Sequence, residues 1–136
     1  MPHPTSTEIA GRIEDLYGAS LADLGARAQD QPPGMLSALL AMHEDLALAE
    51  RSITFHRDRL AQLVHPERQI GGHEVSHVLD CARRLAEAVA VRDVQTSTAS
   101  AVLQSLARVT TPAPSPAPAS AAPAAPAPAA STARSR

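Results

Sequence analysis

Leu39, Leu46, Ile53 and Leu60 stand seven residues apart, and Met35, Met42, Ala49, His56 and Leu63 interleave with them. An apolar period of this kind, held over four repeats, is the pattern of a long helix packed lengthwise on another helix. It is incompatible with the two-residue alternation of a half-buried strand. The spacing predicts a helix from Met35 to Val64. A second stripe, Ala41, Leu48 and Phe55, lies about 180° away at 100° per residue. A helix with two apolar seams sits between two neighbours, so Ala41, Leu48 and Phe55 form a candidate interaction face.

The neighbours are legible on either side. His65-Pro66-Glu67-Arg68-Gln69-Ile70-Gly71-Gly72 is a turn, punctuated by proline and paired glycines. From His73 a stripe of Val75, Val78, Leu79, Ala82, Leu85, Ala86 and Val89 has helical period, and Val102, Leu103, Leu106 and Val109 resume it. The polar run Gln95-Thr96-Ser97-Thr98 leaves open whether residues 73–109 are one helix or two. Folding 35–64 back on this segment gives an antiparallel hairpin with His56 near Cys81 and Leu60 near His77. At the N-terminus Thr5 and Glu8 make a capping-box pattern ahead of Ile9, Ile13, Leu16 and Tyr17. Leu21, Leu24 and Ala28 continue that face. Gly11, Gly18 and Gly25 weaken the helix by roughly 1 kcal/mol each. A break at Gly18, re-capped by Ser20 and Asp23, is one outcome. This N-terminal segment is the natural cover for the Ala41/Leu48/Phe55 seam; the alternative is that it frays and leaves the seam to a second copy of the chain.

Composition supports an all-α chain. Tyr17 and Phe55 are the only aromatic residues, whereas packed β-sandwiches draw heavily on aromatic and β-branched side chains. Residues 110–136 hold 11 Ala, 7 Pro, 7 Ser/Thr and 2 Arg. Such a segment offers no periodic apolar face, which predicts a disordered, polyproline-leaning tail. The expected architecture is a long antiparallel hairpin with an N-terminal helix, bundle-like, over residues 1–109, followed by the tail.

Charge and cysteine content exclude several functions. All twelve basic residues are arginine; residues 1–109 carry 10 of them against 14 acids, a net of −4. That sign opposes phosphate neutralisation, so nucleic acid is not the expected partner. A lone Cys81 cannot staple a secreted scaffold. The first residues have no basic and apolar leader pattern. The longest apolar run, Ala38 to Met42, is far short of a membrane span. The expected location is cytoplasmic.

One motif is chemically loaded. His73-Glu74-Val75-Ser76-His77 places two histidines at i and i+4, which on a helix share a face and can ligate zinc, with the glutamate as general base on a bound water. With Ile70 before it and Val78-Leu79 after it, the segment resembles the extended zinc-metallopeptidase signature over about ten residues. The resemblance implies His73 and His77 as zinc ligands and Glu74 as the catalytic base. Against it, Asp80 and Arg83 stand where the metzincin continuation has glycine and a ligand. Glu87 follows closer than a third glutamate ligand usually does, and no strand is available to hold a peptide. With the apolar stripe centred on Ala82, His73 and His77 fall roughly 180° and 140° away, toward water.

Two weaker signals complete the reading. Ile13 to Ser20 resembles a helix-turn-helix corner, but the following segment, Leu21 to Gln29, offers a single Arg27 to a duplex. His56, near Cys81, is either a register-setting polar group or half of a Cys/His pair. The function expected from all this is a non-enzymatic interaction or regulatory protein without cofactor. It acts through helix-face contacts, as a homodimer or with another protein, the Leu48/Phe55 seam being the contact. A zinc hydrolase and a DNA-binding regulator are the alternatives.

Overall fold

The computed structural model describes residues 2–110, which form four helices: α1 (Ser6–Tyr17), α2 (Leu21–Gln29), α3 (Met35–Leu63) and α4 (Gly72–Thr110). No strand occurs among the described residues. The tail predicted to be disordered lies outside them, apart from Thr110, the last residue of α4.

Local chemistry sets the N-terminal half. Thr5 Oγ1 accepts from the Glu8 N–H at 3.2 Å, and Glu8 Oε2 accepts from the Thr5 N–H at 2.6 Å. This reciprocal cap satisfies two of the donors a helix start leaves free. Gly18 ends α1 in the left-handed region, at φ 68°, a conformation glycine adopts without steric cost. Ser20 then caps α2 by accepting from the Asp23 N–H at 3.2 Å. The N-terminal segment therefore breaks at Gly18 into two helices, the outcome in which Ser20 and Asp23 re-cap the chain, and the described residues form four helices in all. Glu14 Oε1 accepts from the Leu21 N–H at 2.8 Å and fixes the elbow between them.

α3 and α4 form the antiparallel hairpin. Cys81 Sγ donates to the His56 carbonyl at 3.2 Å, the neighbourhood the sequence reading anticipated. Nearer the other end, Gln95 Nε2 donates to Asp45 Oδ2 at 3.2 Å. α4 is one helix of 39 residues. The polar run does not break it, because Thr96 turns into the core and Gln95 finds a partner on α3.

The main cluster of the core sits at one end of the hairpin. Ile9, Ile13 and Leu24 pack with Leu39, Leu46, Ala99 and Leu103, with Leu16, Tyr17, Leu36 and Leu106 around them. Each fully buried Leu or Ile stabilises the fold by roughly 1.5–3 kcal/mol. Toward the 64–71 turn the buried residues are Ala49, Ile53, Leu63, Cys81 and Ala88, mostly small, and the hairpin there is only two helices thick.

Two expectations need correction. The N-terminal helices do not cover the Ala41/Leu48/Phe55 seam. α1 lies against both α3 and α4 on the far side, held by the Ser6 N–H donating to Glu50 Oε1 at 2.7 Å. Glu50 is about 160° around α3 from Leu48. Second, the buried stripe of α4 is centred on Cys81, Ala88 and Ala99, not on Ala82, while Val75 and Leu79 are exposed. Close approach of two helices favours the small side chains inside, and the bulky ones had drawn the sequence-based stripe about 100° off axis.

Candidate functional site

Ala41, Leu48 and Phe55 all lie on the solvent side of α3. Leu48 is 56% exposed and Phe55 65% exposed. Being seven residues apart on a continuous helix, they form one straight stripe. A shallow groove runs beside it, between α3 and α4, on the side of the hairpin away from α1. Leu48, Ala49 and His56 form one wall; Arg84, Ala88 and Val91 form the other. Val91 is 44% exposed and meets the groove at the level of Leu48. Sequence reasoning missed Val91, because the residues seven before and after it, Arg84 and Thr98, are polar and give it no apolar stripe.

The groove continues toward the turn. Phe55, His56, Arg59, Leu63, His77, Asp80 and Cys81 line this second stretch. The Phe55 and His56 rings meet edge to face, 5.1 Å apart at 80°, a favourable aromatic arrangement. Cys81 is buried and gives its thiol proton to the His56 carbonyl, not to the imidazole. No Cys/His nucleophile pair is built here. Arg83 and Arg84 both donate to Asp80, at 2.8 and 3.0 Å, and hold its carboxyl below the ordinary aspartate value.

His73 and His77 sit at the start of α4, both exposed. Their Nε2 atoms are 3.0 Å apart and their rings are nearly perpendicular. At that separation one ring nitrogen donates to the other; two nitrogens ligating one tetrahedral zinc at 2.0–2.1 Å stand about 3.3 Å apart, so little movement would let them share an ion. His77 is about 40° from Cys81 around the helix, which brings it to the rim of the groove rather than the opposite face. Glu74 reaches back to the helix start. Its Oε2 accepts from the Gly71 N–H at 3.0 Å. Hydrogen bonds from its own backbone N–H and from Gly71 hold Glu74 below the ordinary glutamate value, with His73 and Arg68 acting in the same direction. It serves as a helix cap. Among the described residues no cluster of three or more His, Cys, Asp or Glu could hold a metal ion.

α1 and α2 are joined by the short turn of residues 18–20, and the exposed side chains of α2 are Ala22, Asp23, Ala26, Arg27 and Gln29. One cation on nine residues gives little purchase on phosphates. No helix among the described residues is long and apolar enough to cross a membrane. No family model matches the chain, and neither the curated proteins nor the solved structures contain a match to it.

Proposed function

We propose that this protein is a non-enzymatic interaction or regulatory protein that receives another protein helix along the Ala41–Leu48–Phe55 stripe. The observation that carries this is the exposure of Leu48 and Phe55 on one straight line of α3, beside an open groove. Leaving Phe55 in water forgoes roughly 1.5–3 kcal/mol of burial, which a docked helix recovers. A narrow apolar stripe on a helix fits a helix in recognition, because anchors at i and i+7 meet a partner of the same period.

A zinc hydrolase is the weaker reading. Glu74, its required base, is engaged by the Gly71 N–H, and the His pair supplies two ligands where catalytic zinc takes three from the protein. A DNA-binding role meets the acidic balance of residues 1–109 and the single arginine of α2.

Photo-crosslinking in the cell tests the face. A photoreactive side chain at position 55 or 48 should give one discrete protein adduct, and the same group at exposed Gln104 should give none. Identical patterns from all three positions, or no adduct from 48 and 55, would overturn the reading.

A further inference from the structure

We propose that the helix received by this face is α3 of a second copy of the same chain, lying antiparallel with Leu48 at the two-fold axis. The inference rests on the preceding reading and names its partner. It comes from how the residues flanking Leu48 match one another when α3 is paired with itself.

Symmetry makes such a contact isologous: a residue a given distance before Leu48 meets one the same distance after it. Ala41 and Phe55 are each seven residues from Leu48, about 10.5 Å along the helix. Antiparallel pairing therefore sets the smallest residue of the stripe against the largest, twice, with Leu48 on Leu48 between. Parallel pairing would set Phe55 on Phe55 and Ala41 on Ala41, one crowded layer and one gap.

The charges make the same choice. Glu44 and Arg51 are both exposed, and neither forms an ion pair among the described residues. They lie on the same side of the stripe, about 40° and 60° from Leu48, and about 6 and 4.5 Å from it in opposite directions. An antiparallel dyad brings like sides together, so Glu44 of each copy meets Arg51 of the other, offset by about 1.5 Å. A parallel dyad brings opposite sides together and sets Glu44 beside the other copy's Asp45, a like-charge contact. Both α4 helices then fall on one side of the paired α3 helices, with Val91 of each at the level of the axis. The result is a four-helix dimer interface in which Val91 and Leu48 share one apolar patch.

The test is a charge swap read by sedimentation equilibrium on the full chain, with circular dichroism as the check on folding. Wild type should be a dimer at tens of micromolar. Glu44→Arg and Arg51→Glu each place like charges across the axis and should raise the dissociation constant at least tenfold. The double variant Glu44→Arg/Arg51→Glu should restore it to within about threefold of wild type. A monomeric wild type at 50 µM overturns the proposal, as does a dimer indifferent to the single swaps or a double variant no tighter than the singles. If wild type is monomeric while position 55 still crosslinks to a different protein, this inference falls and the face reading stands. Absence of any adduct removes both.

Discussion

Ser6 gives both its backbone N–H and its hydroxyl to the carboxylate of Glu50, forty-four residues away. This contact ties the start of α1 to the face of the hairpin on which Ile9 and Ile13 are buried. One carboxylate receives a free N–H from the first turn of α1 together with a hydroxyl, in a half-buried position. Hydrogen bonds to a charged group contribute about 1.5–3 kcal/mol when partly desolvated. Glu50→Ala should therefore lower stability by about that amount in urea unfolding at neutral pH. A loss below about 0.5 kcal/mol, the scale of an ordinary surface substitution, would show that α1 docks by its apolar face alone.

Thr96 is buried between the helices and its Oγ1 has no hydrogen-bond partner. A buried hydroxyl without a partner costs about 1–3 kcal/mol, and valine keeps nearly the same shape. Thr96→Val is expected to raise the unfolding free energy by about 1 kcal/mol. An unchanged or lowered midpoint would mean that the hydroxyl is satisfied after all.

The Glu74 cap gives the stability a recognisable acid limb. Its carboxyl is held below the ordinary value of 4.5 in the folded chain. A group with a depressed folded pKa contributes stability that is present above its unfolded pKa and is lost as the pH falls through the folded one. Wild type should therefore exceed Glu74→Gln in stability at pH 7, and the gap should close as the pH drops below 4.5. Unfolding titrations of both proteins across that range check it; a gap independent of pH rules out the ionised cap.

The His73/His77 pair, one turn apart on α4, should bind zinc or copper, but weakly. Two imidazoles fall well short of the ~10–16 kcal/mol that a complete structural zinc site supplies. Calorimetric titration is expected to show one low-affinity site per chain, abolished by His73→Ala. Nanomolar binding would require a third protein ligand and would reopen the hydrolase reading.

Much of this architecture was legible because it is local. The Thr5/Glu8 and Ser20/Asp23 caps depend on residues three apart, and both stripes of α3 depend only on helical period. The docking side of α1 was not, since part of its anchor is Glu50, a charged residue that no apolar pattern marks. On α4 the bulky Leu79 and Val75 misplaced the stripe, while Thr96, seven residues from both Val89 and Leu103, read as a weak point. The Glu74 cap was within reach: a glutamate three residues after Gly71, at the start of a helix, is the acidic half of a capping pattern. The zinc signature drew attention to the other chemistry the same residue can do.

A helix of 39 residues is about 58 Å long, more than four times the radius of gyration of a compact chain this size. The His73/His77 pair and the Ala99/Leu103 layer are about 39 Å apart along it. At physiological ionic strength that spans about five screening lengths. A proton or a metal ion taken up at the turn is thus electrostatically silent at the four-helix end. The two ends can be titrated, mutated or occupied independently, with the shared rigidity of α4 as their mechanical link.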